Sequence, residues 1–270
     1  MNLHKQFLTN NNCYKKNEAL NIKGVMWHST AANNPNLRRY VQPDDGLLGR
    51  NTAGNHWNVA KPDGQSKCVH AFIGKLKDGS VATYQTLPWN TKGWHCGGTA
   101  NSTHIGFEIC EAALSDKTYF NAVYKEACEL TAYLCDMFNL DPMEDGVIIC
   151  HSEGYKRGVA SNHADVMHWF SKHGKTMDDV RKDVKALLSN AAATPVADTQ
   201  KIYKVQTITS YSDKTKAASV VTKMKAANFT AATVKVGSAY KVQCGAYKVY
   251  KNAQAQVSKL EAAGFKCAIY

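Results

Sequence analysis

The chain lacks a CxxC pair, lacks an apolar stretch long enough to cross a membrane, and has only six prolines in 270 residues. Its nine cysteines are odd in number and scattered, which excludes a disulfide framework and a thiolate zinc cluster. Cys68, Cys110, Cys128, Cys135 and Cys150 sit in apolar runs, where cysteine behaves as a small hydrophobe, so buried thiols and synthesis in a reducing compartment are expected. The first residues, MNLHKQFLTNNNCYKK, hold no apolar core of signal-peptide length. The expectation is synthesis in the cytoplasm without a signal peptide, no membrane insertion, and release by another agent if the target lies outside.

Acidic residues are scarce in one region. From Lys201 onward twelve lysines face only Asp213 and Glu261, a net charge of +10 out of the chain's +11, so the first 200 residues are nearly neutral. A basic terminal module beside a neutral one suits a polyanionic partner such as nucleic acid, an anionic wall polymer or a membrane surface; lysines retained for solubility are the alternative.

The segment Leu187 to Lys201, LLSNAAATPVADTQK, is small, polar and proline-bearing. It sets the expected division: a catalytic domain over 1–188, a linker over 189–200 and a second domain over 201–270. In the first, β-type runs (Ile22 to Trp27, His56 to Ala60, Cys68 to Ile73, Ile105 to Cys110, Val147 to Cys150) alternate with turns. Phe120, Val123, Ala127, Leu130, Leu134 and Phe138 recur at helical spacing within a helix from about Lys117 to Asn139, and a second helix is expected from about Asp178 to Leu188. Together they predict an α/β fold, a mixed central sheet flanked by helices. The second domain repeats itself, with Tyr-Lys-Val-Gln at Tyr203 and again at Tyr240, each followed by a lysine-rich amphipathic helix and a short strand. Two β-α-β units predict a small ferredoxin-like βαββαβ domain in which Cys267 to Tyr270 form the last strand.

The densest chemistry lies in CHSEGYKRGVASNHADVMHWF, which carries His151, His163 and Asp165 in one glycine-punctuated stretch. His28 ends the apolar run GVMWHST, where a strand end presents an imidazole to a cleft. Two histidines and one carboxylate leave zinc an open position, the mark of a catalytic site. His163 is either a further ligand or a substrate contact whose N–H faces an oxyanion. Glu108 in HIGFEICE is either a carboxylate at the sheet rim or the general base for an attacking water. His95 in GWHCGG is the reserve ligand or substrate contact; His56, His70, His104, His168 and His173 are read as structural or exposed.

At these residues the chain, over about 20–188, resembles the type-2 N-acetylmuramoyl-L-alanine amidases, the zinc family of phage lysins, wall-recycling amidases and peptidoglycan-recognition proteins. WHST resembles the first ligand motif, HIGFE the strand with the catalytic glutamate, HSEG the second ligand motif, and H-x-D the third. The resemblance implies Zn2+ on His28, His151 and Asp165, catalysis by Glu108 and His163, and cleavage between N-acetylmuramic acid and the first L-alanine of the peptidoglycan stem peptide. Asn55 in GNHWNVAKPDG stands where several members have an assisting tyrosine, and His163 replaces a usual lysine. The terminal repeat resembles a SPOR domain, which implies binding to peptidoglycan strands stripped of stem peptides; Gln206, Tyr211, Gln243 and Tyr247 would meet sugar rings, unless the tyrosines serve the core.

A phage endolysin is the expected setting, with a bacterial autolysin or sporulation amidase, or a non-catalytic muropeptide binder, as the alternatives. A nucleic-acid partner is not expected, because the aromatic signature of an RNA-binding four-stranded sheet is missing.

Overall fold

A computed structural model describes residues 1–193, 202–247 and 250–270, and the chain divides into two units, Met1–Thr194 and Pro195–Tyr270. In the first, β1 (Leu3–Lys5), β2 (Gly24–Ser29), β3 (Ala71–Lys75), β4 (Val81–Gln85), β5 (His104–Ile109) and β6 (Ile148–Cys150) form one sheet in the order β1-β4-β3-β5-β2-β6. Only β3 and β4 pair antiparallel, so the sheet is mixed, as the sequence predicts. Every residue of β2 is buried, which an interior parallel strand requires because helices and loops cover both faces.

The main cover is α2 (Lys117–Phe138). Asp116 caps it by accepting from the Tyr119 N–H, and Asn139 ends it in the left-handed conformation. Its predicted stripe is buried from Phe120 to Leu134, and the last member, Phe138, is half-buried. Trp27 of β2 packs under it against the rings of Phe107, Tyr124 and Phe170 at 5.1, 6.3 and 6.0 Å. The helix α5 (Met177–Ala193) packs on α2 and runs beyond Leu188, where periodicity alone would end it. Of the expected linker, 189–193 therefore continue α5, and 194–200 lie outside the described residues. Three short helices, α1 (Asn12–Lys16), α3 (His151–Lys156) and α4 (Met167–Phe170), complete the unit.

Two strand expectations change. His56 to Ala60 is a loop with single bonds in place of a strand ladder: the Trp57 N–H donates to the Tyr40 carbonyl, Asn11 donates to the Trp57 carbonyl and the Asn12 N–H to the Ala60 carbonyl, while the Asn58 side chain ties the loop to the Asn10 N–H and the Gln42 carbonyl. β3 starts only at Ala71, because Cys68 is engaged in an isolated bridge with Trp94. β1 and β4 were not anticipated.

The second unit consists of β7 (Tyr203–Thr207), α6 (Lys214–Ala226), β8 (Ala232–Val236), β9 (Ala239–Tyr247), α7 (Tyr250–Ala262) and β10 (Cys267–Ile269). Its sheet order is β10-β7-β9-β8, antiparallel throughout, the ferredoxin-like layout that the repeat implies. The two Tyr-Lys-Val-Gln segments lie on the central strands β7 and β9, and their valines, Val205 and Val242, are fully buried with Met224, Leu260 and Cys267. Tyr211 and Tyr247 pack against this core, which favours the packing alternative for both. All nine cysteines are free and buried.

Candidate active site

Parallel strands that end at one edge of a sheet bring their carboxyl ends together, and the ends of β2, β5 and β6 do so here. His28 on β2 is the registered partner of Glu108 on β5, so the two side chains leave the same face of neighbouring strands roughly 4.8 Å apart. His151 begins α3 directly after β6. Asp165 is tied to that same turn by a 3.1 Å hydrogen bond from the Ser152 N–H to its carbonyl.

His28, His151 and Asp165 converge, and all three are buried. The Nδ1 atoms of the two histidines are 3.1 Å apart, and Oδ2 of Asp165 lies 3.1 Å from His28 Nδ1 and 3.5 Å from His151 Nδ1. A tetrahedral zinc ion with ligands at about 2.0–2.1 Å separates them by about 3.3 Å, so this triangle has the dimensions of one face of a zinc site. The donor set, two imidazole nitrogens and one carboxylate oxygen, suits the same ion.

Behind the triangle, hydrogen bonds fix the ring orientations. With Nδ1 of His28 turned inward, its Nε2–H donates to Nδ1 of His95 at 2.9 Å, and His95 Nε2–H donates to the His104 carbonyl at 3.1 Å. His151 Nε2–H donates to the Ser161 hydroxyl at 3.2 Å, which donates in turn to the Cys96 carbonyl at 3.0 Å. His95 is seated by the carboxamide of Asn101, which accepts from the His95 and Cys96 N–H groups, and by the missing side chain of Gly106, where a Cβ would come within 2.4 Å of His95 Nδ1. Partners of this kind hold metal-ligating imidazoles in one tautomer and one orientation.

Burial pushes His28 below its ordinary value against the opposing hydrogen bond and charge of Asp165, and pushes His95 further down, helped by the charges of His28 and His70. Both rings are thereby held neutral, as metal ligation and the relay require. Burial raises Asp165, but the His151 and His28 imidazoles that face its carboxylate outweigh it and hold the carboxyl well below the usual carboxylate range. Glu108 moves the other way: burial, then the charges of Asp165 and Glu111, push it well above an ordinary glutamate, with Lys67 opposing.

These groups line one cleft of about 550 Å³, together with His163, Trp57, Arg39 and Lys67. The Glu108 Oε2 atom is buried without a hydrogen-bond partner, a carboxylate left for something in the cleft. His163 is exposed, with its ring 4.5 Å from that of His151 and Nδ1 3.1 Å from the Ser161 hydroxyl. All five residues singled out as the site thus border the same space. His95 is not placed as a fourth ligand; it stands behind His28. Asn55 does not line this cleft; its side chain accepts from Asn51 at its edge.

His70 and His104 are structural, bonded to Thr91 and Gly146 carbonyls, and His173 stacks on Phe120 at 4.0 Å. Sequence reasoning missed Ser161, which no motif marks, and the pairing of Arg39 and Lys67 with Asp63 at 3.2 and 2.9 Å on the cleft wall.

A mixed sheet whose strand ends gather two imidazoles and two carboxylates in one cleft is a candidate metal-assisted catalytic unit. The family model described as N-acetylmuramoyl-L-alanine amidase matches residues 18–168, more than half of the chain, and the chain belongs to that family. The SPOR domain model matches residues 199–270. Among solved structures, the Staphylococcus aureus hydrolase AmiA in complex with its ligand is similar at 16% identity, covering 71% of this chain and 84% of that one, with a TM-score of 0.52. That likeness is one of fold. A mutant endolysin from Bacillus subtilis is 22% identical over 68% of this chain and 99% of its own, with a TM-score of 0.45. The peptidoglycan binding domain of the B. subtilis cell wall lytic enzyme CwlC is 27% identical over 28% of this chain and 96% of its own, with a TM-score of 0.26. No curated protein sequence matches the chain.

Proposed function

We propose that this chain is a zinc-dependent N-acetylmuramoyl-L-alanine amidase that cuts the amide between N-acetylmuramic acid and the first L-alanine of the peptidoglycan stem. The observation that carries this reading is the zinc-sized triangle of His28, His151 and Asp165 beside the unpartnered carboxylate of Glu108. His28, His151 and Asp165 would hold zinc there, and the bound ion would supply Lewis acidity toward the scissile carbonyl and a water.

In this reading Glu108 takes the proton of the attacking water and delivers it to the leaving amine as the C–N bond breaks. Its elevated affinity for a proton, set by burial and by Asp165, serves the second transfer. His163, at the mouth of the cleft, presents an N–H to the oxyanion. The SPOR unit holds the enzyme on peptidoglycan and raises its local concentration there. Its net charge of +10 favours additional contact with anionic wall polymers, which added salt would weaken.

The setting we propose is that of an endolysin that lyses the host wall after release. The test is incubation of the purified chain with peptidoglycan. New amino termini should appear without new reducing ends, a chelator should stop the release, and added zinc should restore it. Reducing ends in place of amino termini would make the protein a glycosidase and end the proposal. Lysis from within only once the membrane is permeabilised is expected of the endolysin setting; lysis without that step would contradict it.

A further inference from the structure

Helix α6 carries four lysines, Lys214, Lys216, Lys223 and Lys225, and no acidic residue. All four are exposed, and among the described residues none has a carboxylate partner. From residue 201 onward the only acids are Asp213 and Glu261. Asp213 is committed to the helix cap, accepting from the Thr215 N–H at 2.7 Å, and Glu261 lies near the C-terminal end of α7. Solubility alone does not ask for this pattern. A helix macrodipole favours acids in the first turn, so Lys214 and Lys216 stand against the local preference. Lysines kept for solubility also gain from Glu four residues away, and α6 has no such pair.

The lysines fall in two rows. At about 100° per residue, Lys214 and Lys225 share one flank of the helix, and Lys216 and Lys223 share the flank about 180° away. Between the rows on the inner side, Ala217 and Met224 are fully buried in the core of the unit. Between them on the solvent side lie the small exposed residues Ala218, Ser219 and Thr222. Both hydroxyls turn back on the helix, Ser219 donating to the Lys216 carbonyl at 2.8 Å and Thr222 to the Ala218 carbonyl at 3.2 Å. The result is a low, neutral strip bracketed by positive charge over about 16 Å of helix.

We propose that this outward face of α6 is a docking surface for a wall phosphodiester polymer, an alditol phosphate chain lying along the strip between the two lysine rows. Charge complementarity selects the partner. A glycan backbone is uncharged and gives the lysines nothing to meet, whereas a phosphodiester chain offers one negative charge per repeat to ammonium groups that act as point charges. A single-stranded nucleic acid would want aromatic rings for its bases, and the strip has none. The inference rests on the wall-binding reading of the second unit and gives the polymer a face of its own. Because α6 packs inward through Ala217 and Met224, its strip points away from the sheet and leaves the strands that carry Gln206 and Gln243 to the glycan.

The test titrates the full chain calorimetrically with soluble poly(glycerol phosphate) at several salt concentrations. The wild type should bind, with the logarithm of its affinity falling linearly against the logarithm of salt. Changing Lys214, Lys216, Lys223 and Lys225 together to Gln, a residue of similar helix propensity, should lower the affinity at least about tenfold and flatten the salt slope by about 3. Changed separately, the Lys214/Lys225 and Lys216/Lys223 pairs should each give about half of that flattening. A control with Lys204, Lys235, Lys259 and Lys266 changed to Gln removes equal charge from other parts of the unit and should keep most of the affinity. No binding by the wild type at low salt, no effect of either pair, or an equal loss in the control overturns the assignment to α6. So does displacement of the polymer by glycan strands free of stem peptides, or equally tight binding of single-stranded DNA at the same salt. Release of amino termini by the wild-type chain from polymer-free peptidoglycan is scored separately, so a failed docking surface and a failed amidase give different results.

Discussion

Replacing His95 by alanine leaves all three residues of the triangle in the chain, yet it should weaken zinc binding. Among the described residues His95 is the sole acceptor given to the buried Nε2–H of His28, at 2.9 Å, and it passes the constraint to the His104 carbonyl. Without it a buried donor is unpaired, at a cost of about 1–3 kcal/mol, and the ring is free to turn its Nδ1 away from the other two groups. Loss of such a partner typically lowers metal affinity by about 10- to 100-fold, or roughly 1.4–2.7 kcal/mol. The assay is competition for zinc against a chromophoric chelator at neutral pH. His95→Gln, which retains an acceptor, should recover most of the loss. Gly106→Ala provides an independent route, since its new Cβ would lie 2.4 Å from His95 Nδ1 and push the ring out of place. If His95→Ala binds zinc within about twofold of the wild type while His28→Ala binds none, the orienting role assigned to His95 is wrong.

Glu108→Gln should lower turnover of peptidoglycan by at least about 10²-fold while zinc content, read by mass spectrometry, is unchanged; zinc loss with the activity would make Glu108 a ligand instead. Acidification should destabilise the metal-free catalytic unit. Burial pushes His70 down to about 4, opposed by hydrogen bonds to Thr91 and Gly106, whereas the unfolded chain protonates it near the ordinary 6.5. The unfolded state therefore binds the proton first, so stability is complete above pH of about 6.5 and falls by on the order of 3 kcal/mol as the pH drops towards 4. Urea titrations across that range check it, and a midpoint that rises on acidification would contradict it. Deleting Cys267 to Tyr270 removes β10, its pairing with β7 and a cysteine that is 2% exposed, and should unfold the second unit, read as loss of slow amide exchange there. Retained protection in β7 and β9 would show that the last strand is dispensable.

Much of the site was readable in the sequence because strand ends are readable. An apolar run that stops at His28, a second that carries Glu108 and a third that stops at His151 fix three side chains at one sheet edge once the strands are parallel. Asp165 was readable from the H-x-D segment, and the βαββαβ unit from the duplicated Tyr-Lys-Val-Gln. What could not be read depends on chain-distant contacts. The seat of His95 is a side chain that Gly106 does not have, and the place of Ser161 is fixed by a hydrogen bond from its N–H to the Cys96 carbonyl. His56 to Ala60 has the composition of a strand, but its backbone pairs singly with distant segments, the Trp57 N–H with the Tyr40 carbonyl, the Trp57 carbonyl with the Asn11 side chain and the Ala60 carbonyl with the Asn12 N–H. Val81–Gln85 is hard to read because Thr83 and Gln85 interrupt its apolar character, and Arg39 because a surface arginine carries no periodicity.

X-ray absorption at the zinc edge of the loaded full-length chain measures the coordination shell itself. One zinc per chain should show four nitrogen or oxygen neighbours at about 2.0–2.1 Å, an imidazole signature from two histidines and no sulfur, with the imidazole count reduced to one in His151→Ala. A sulfur neighbour at about 2.3 Å, or a shell unaltered by His28→Ala, His151→Ala and Asp165→Ala alike, would place the metal elsewhere and remove the basis for the proposed chemistry.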